Sequence, residues 1–251
     1  MSIKINYNGN ETVSQSDSKK VVINCKGMTM EDDILVTDTR YDDFWDSYLN
    51  NGTRSYYPYM FAGQGWSDTT FKPKYDIKPV GTIGGMARGT GFLDMKQRLL
   101  DSGVTLDTSR ATNFQYAFAY GNITSLPKID CSSATTLQDA FNGASKLTNI
   151  DELVVHSNLS YLTAFKNCTA LTYIRINGEI GNNLDMQHCP LDKESIRSVV
   201  NALSFNSSNT TLTLSKDAVD NAFRDGATTG SESDEWDSLV TPHSNWYISL
   251  V

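Results

Sequence analysis

The stretch Ala111-Thr112-Asn113-Phe114-Gln115-Tyr116-Ala117-Phe118 returns, altered but in step, as Ala134-Thr135-Thr136-Leu137-Gln138-Asp139-Ala140-Phe141 and again within Leu159-Ser160-Tyr161-Leu162-Thr163-Ala164-Phe165. Phe118, Phe141 and Phe165 lie 23 and 24 residues apart, and each follows an alanine. Ile123, Leu147 and Leu171 keep the same interval, as do Leu126, Ile150 and Ile174. A fixed aromatic and leucine-type positions three residues apart, recurring with a period in the low twenties, mark a solenoid of stacked units. One unit of this size cannot bury its own apolar face. Stacked units lay each Phe and Leu over the next and build a continuous core ribbed by short strands about 4.8 Å apart.

The phase extends weakly upstream, where Met60-Phe61 opens one degenerate copy that runs to Phe71, Pro73 and Ile77, and Met86-Ala87 opens another. From Met86 to Phe118 the interval grows to 32 residues, room for one helix. Phe92, Met95 and Leu99, with Leu100 at the margin, supply a 3.6-residue stripe and predict a short amphipathic helix over 92–101. Downstream the pattern changes. Asp192, after Pro190, can cap a helix whose apolar face is Ile196, Val199, Val200 and Leu203. Thr211-Leu212-Thr213-Leu214 reads as a strand with Leu212 and Leu214 inward, and Ser215 can cap a helix carrying Val219, Ala222 and Phe223. A third helix over 235–240 presents Trp236, Leu239 and Val240, and 246–251 is a last strand. Between the last two helices, 225–234 reads as an exposed loop. Such alternation predicts larger α/β units closing the solenoid.

Residues 1–38 follow another pattern. Ile3-Lys4-Ile5-Asn6-Tyr7 alternates with period two, Val21-Val22-Ile23 is β-branched, and Asp33-Ile34-Leu35-Val36-Thr37 closes the segment. Asn8-Gly9-Asn10 and Lys26-Gly27 are turn chemistry between them. The fold class expected is α/β: a leucine-rich-repeat-like solenoid with short strands and an α/β C-terminal cap over 39–251, preceded by a small N-terminal β module over 1–38 that serves attachment.

The 251 residues are 39% hydrophobic and 20% charged, with a net charge of -8. Binding nucleic acid requires clustered Lys and Arg that are absent here, so no nucleic-acid partner is expected. No apolar run approaches the roughly eighteen residues of a membrane span. The first residues lack an apolar export core, which leads to the expectation that the protein stays where it is made unless it leaves in a particle or by lysis. Cys25, Cys131, Cys168 and Cys189 are widely spaced with no C-x-x-C and make no zinc framework, and Cys131 and Cys168, inside the repeats, read as small buried thiols rather than a disulfide. His188 beside Cys189 is no metal pair, because adjacent side chains on a strand point to opposite faces. Gly81-Thr82-Ile83-Gly84-Gly85 resembles a phosphate loop but lacks its Lys-Ser/Thr ending and a preceding strand, and reads as a flexible turn. Acidic clusters such as Asp42-Asp43-Asp46 lack the alternating ligands of a calcium loop and read as solvated faces. No nucleophile or metalloprotease motif occurs, so neither catalytic residues nor a cofactor or metal is expected.

From Tyr41 to Pro79 the chain is aromatic and short of aliphatics. Tyr56, Tyr57, Tyr59 and Trp66 offer large contact area at low rotamer cost, which suits a protein or glycan ligand. The same residues would equally serve as the cap that shields the open end of a stacked core.

The blocks Leu106 to Phe118 and Leu137-Gln138-Asp139-Ala140-Phe141-Asn142-Gly143-Ala144-Ser145-Lys146-Leu147-Thr148 resemble the leucine-rich repeats called BspA-like, clearly over 105–176. Val22 to Val36, the Leu191 to Ser204 helix and the terminal Asn245-Trp246-Tyr247-Ile248-Ser249 resemble proteins encoded in phages and prophages of gut Firmicutes. These resemblances imply a non-enzymatic virion structural or tail-associated adhesion protein. Its expected partners are other virion proteins, through the N-terminal module, and a host-surface glycan or protein. A homo-oligomer within the particle is expected as well. The alternative is a bacterial cell-surface leucine-rich-repeat adhesin.

Overall fold

Every strand pairing from Gly81 onward among the described residues is parallel, and most join one repeat to the next. The computed structural model describes residues 60–63, 66, 71–73, 76–91, 93–207, 209–223 and 234–251, and strands within 6–31. Within 6–31 the pairing is antiparallel instead. Strands β1 (Asn6–Tyr7) and β2 (Asn10–Glu11) form one hairpin, and β3 (Val13–Gln15), β4 (Val21–Cys25) and β5 (Met28–Glu31) form a meander. Cys25 pairs with Met28 across the Lys26-Gly27 dipeptide, as its turn chemistry predicts. Strands β2, β3 and β5 are additions to the strands expected, Asn10 belongs to β2 rather than to the turn expected at Asn8-Gly9-Asn10, and the strand expected over 33–37 lies outside the described residues.

The parallel part is built from short strands. Strands β6 (Gly81–Thr82) and β7 (Ala111–Asn113) pair, and isolated bridges carry the same row on from Asn113 to Thr136 and from Thr136 to Ser160. A second row joins β8 (Ser125–Leu126), β9 (Ile129–Asp130), β10 (Asn149–Val155) and β11 (Tyr173–Gly178). Leu126 stands beside Ile150 and Ile150 beside Ile174, so the leucine-type positions of the repeat meet across the sheet and are all buried. Between the rows, Phe118, Phe141 and Phe165 stack with ring centroids 5.5 and 5.1 Å apart and planes within 7° and 14° of parallel. Backbone bonds hold this spine: the amides of Phe118 and Phe141 donate to the carbonyls of Ala140 and Ala164.

The degenerate copies obey the same bonding. The amide of Phe61 donates to Met86 and that of Ala87 to Ala117, so Phe61 and Ala87 hold the place that Phe118 holds. Gly81 to Gly85 is therefore an ordered piece of a repeat rather than the flexible turn expected of it. The insertion between Met86 and Phe118 contains helix α1 (Met95–Ser102), capped by the Asp94 carboxylate on the amide of Gln97. Met95 and Leu99 are buried, but Leu100 is exposed, which removes it from the stripe; Phe92 lies outside the described residues.

Helix α2 (Lys193–Asn201) begins where the next strand of the second row would begin. The amide of Thr148 donates to the carbonyl of Thr124, Thr172 to Thr148, and Asp192 to Thr172, one step each. Asp192 then turns the chain by accepting from the amide of Ser195 as N-cap. Ser195 and Ser198 face β11, whose Ile174 and Ile176 amides donate to their hydroxyls at 3.0 and 2.8 Å. The open edge of the sheet is thereby covered, a device that prevents further strand pairing. Beyond it, β12 (Leu184–Met186), β13 (Thr210–Leu214) and β14 (Trp246–Leu250) form a second parallel sheet. Helices α3 (Lys216–Phe223) and α4 (Asp234–Val240) connect its last two strands. Leu212, Leu214, Val219, Phe223 and Trp236 are buried as their spacing predicts; 224–233 lie outside the described residues. The chain is thus α/β with short strands, and among the described residues no helix is long and apolar enough to cross a membrane.

Candidate binding face

Beside the Phe spine each unit turns twice, and both turns need left-handed backbone. Tyr116, Asp139 and Thr163 occupy one position, at φ of 58°, 52° and 52°, and Tyr120, Gly143 and Asn167 the other, at 56°, 70° and 60°. In the upstream copy Gly85 and Gly89 fill both places. Glycine takes this conformation freely, whereas a side chain there costs about 1–2 kcal/mol. Two tyrosines in one unit are therefore held against a backbone cost that the two flanking units reduce with glycine or aspartate, and that Thr163 bears in the third.

These tyrosines form a polar and aromatic column along the repeats. The Arg88 guanidinium lies 5.1 Å from the Tyr116 ring centroid and 5.6 Å from that of Tyr120, a cation–π arrangement. The Tyr120 ring lies close against Gly143, where a Cβ would fall 2.4 Å from its Cδ1, and Tyr120 remains 50% exposed. Tyr116 hydrogen-bonds the Asp139 carboxylate, which, with that carboxylate's negative charge, raises the phenol's pKa above its usual value. Asp139 Oδ1 also accepts from Asn142 Nδ2 at 2.8 Å and from Thr163 Oγ1 at 2.6 Å. Asn142 Oδ1 is buried without a hydrogen-bond partner. Leu162, next to Thr163, is exposed.

The outer face of the second row carries paired charges. Glu152 meets Arg175 at 2.8 Å and Lys128 at 3.3 Å and accepts from Asn177 Nδ2 at 3.1 Å. Asn177 first and Arg175 next lower its pKa from 4.5 to about 2. Lys96 pairs with Asp151 at 2.7 Å.

Of the residues expected to bind, Tyr56, Tyr57 and Tyr59 lie outside the described residues. Trp66 is buried, 8% exposed, edge-on to Phe61 and Phe71 at 5.3 and 5.9 Å. Sequence reasoning missed Arg88, Tyr116 and Tyr120. The signal was available in the repeats themselves: Tyr116 and Tyr120 stand where the next unit has Asp139 and Gly143. Cys131, Cys168 and Cys189 are buried free thiols, and at Cys131 burial above all pushes the thiol pKa up. His188 is exposed while Cys189 is buried, so the two face apart. Comparison with protein-family models, curated proteins and solved structures finds no match.

Proposed function

We propose that the repeats build a leucine-rich-repeat-like solenoid of the BspA-like kind, and that the chain is a non-enzymatic structural or adhesion protein of a phage virion. Its role is to present the Arg88–Tyr116–Tyr120 column to a protein or glycan. The parallel register, the stacked phenylalanines and the shared turn positions support the solenoid. The observation that carries the binding role is the pair of tyrosines kept at left-handed positions, because strained residues persist where the surrounding structure and function require them. The carboxylate nearest the column, Asp139, is bound to Asn142 and Thr163 and so serves to order the face.

The test is adsorption. Purified protein incubated with cells of gut Firmicutes should bind, and Arg88→Ala with Tyr120→Ala should abolish binding at an unchanged melting temperature. Unchanged adsorption of this variant would refute the column. Antibody labelling of particles induced from a lysogen carrying the gene checks the location, and label confined to the bacterial surface would favour the adhesin. Deleting residues 1–38 should prevent incorporation into particles while the circular dichroism of the repeats persists.

A further inference from the structure

A cleft of about 610 Å³ opens between the Gln187 to Lys193 turn and α3. That volume falls in the range of small-molecule sites. Its apolar lining comes from Pro190, Leu191, Ala218 and Ala222, and its polar lining includes Thr169, His188, Asp217 and Asn221. All four of these polar side chains are exposed and so open to a ligand. The small Ala218 and Ala222, one helical turn apart on α3, leave the space open.

Charge decides what the cleft can hold. The N-terminal ends of α2 and α3 both border it, through Asp192 with Lys193 and through Ser215 with Asp217. Helix N-termini attract anions, but the Asp192 and Asp217 carboxylates offset that attraction. Among the described residues the one cation in the lining, Lys193, is engaged by Glu235 at 2.6 Å and lies 5.0 Å from the Phe223 ring. A phosphate or carboxylate ligand therefore finds no free cation among the described residues, and for a cationic one the two helix N-termini offset the pull of the Asp192 and Asp217 carboxylates. An extended peptide finds helix walls in place of a strand edge. What remains is a neutral ligand with one apolar face and several groups that both donate and accept.

We propose that this cleft binds a neutral saccharide. Its C–H face or acetyl methyl lies on Pro190, Ala218 and Ala222, and its hydroxyls bond to Asp217, Asn221 and His188. A carboxylate accepts from two neighbouring hydroxyls, and an amide donates and accepts at once. This site stands apart from the tyrosine column and does not depend on it.

Titration of the full chain with glucose and with N-acetylglucosamine, followed by NMR shifts, tests the proposal, with glucuronate and glucosamine as charged controls. At least one neutral sugar should bind saturably and the charged analogues about tenfold more weakly. Asn221→Ala, on the exposed side of α3, should weaken binding about tenfold, the effect of losing one good hydrogen bond. Ala222→Leu, which fills the half-open floor, should abolish it, while both variants keep the native melting temperature. Tyr120→Ala should bind sugar normally. Failure of every neutral sugar to bind, equal binding of the charged analogues, or full binding by Ala222→Leu would overturn the proposal. Loss of sugar binding in Tyr120→Ala alone would overturn it too, and would move the sugar to the column.

Discussion

Phe141 is fully buried between two parallel rings, so both neighbours would line the void left by its removal. Phe141→Ala should cost about 3–5 kcal/mol, a large part of a typical domain's stability. Lys146→Ala, on an exposed turn, should change stability by no more than about 0.5 kcal/mol. Urea denaturation of both variants checks this, and equal midpoints would show that the spine contributes little to stability. Glu152 gives stability a pH dependence of definite sign. Its folded pKa is depressed from 4.5 to about 2, so its contribution is complete above 4.5 and fades as pH falls through that value towards 2. Melting temperatures measured from pH 5 to pH 2 should fall less steeply for Glu152→Gln than for the native chain. Phe141 was legible in the sequence because an aromatic that recurs at a fixed interval beside alanine needs a stacked neighbour to bury it. Glu152 was not, because its partners Lys128, Arg175 and Asn177 come from the units on either side.

Helix α2 shows how one element decides where the sheet stops. Its N-cap and its serines do separate jobs, which mutation can pull apart. Asp192→Ala removes the cap and should cost about 1 kcal/mol. Ser195→Ala leaves the buried Ile174 amide without its acceptor and should cost about 1–3 kcal/mol. Hydrogen exchange distinguishes them: Ser195→Ala should speed exchange at Ile174, while Asp192→Ala should act mainly on the first turn of α2. Exchange at Ile174 unchanged by Ser195→Ala would refute the edge-covering role. The helix itself was readable from Asp192 and the apolar positions Ile196, Val199 and Val200. Its use as an edge cover was not, since Ser195 and Ser198 are ordinary helix-surface residues until a strand lies beside them.

For the whole molecule, the solenoid reading makes the repeat interval the unit that can be added or removed. Excising Asn142 to Phe165, one interval of the repeat, joins Phe141 to Lys166 in phase and should leave a cooperatively folding protein, because each unit contacts chiefly its neighbours. Excising a few residues fewer breaks the phase and should abolish cooperative melting. Calorimetry of the two deletions compares them directly, and equal behaviour would refute a repeat-based architecture. The antiparallel pairing within 6–31 and the parallel pairing from Gly81 onward mark two kinds of construction in one chain.

The sequence by itself determined the repeat phase, the buried Phe and Leu positions, the capped helix at Asp192 and the place where β4 gives way to its antiparallel partner. Each is a local periodicity or a short-range hydrogen-bonding preference that needs no knowledge of what lies alongside. Only the tertiary structure decided that Gly81 to Gly85 belongs to a repeat, that Leu100 faces solvent, and that Trp66 is packed inside. It alone brought Arg88 to Tyr116 and Tyr120, and the Pro190 turn to α3. These outcomes depend on which units become neighbours, and stacking places side by side residues that the chain holds some thirty positions apart.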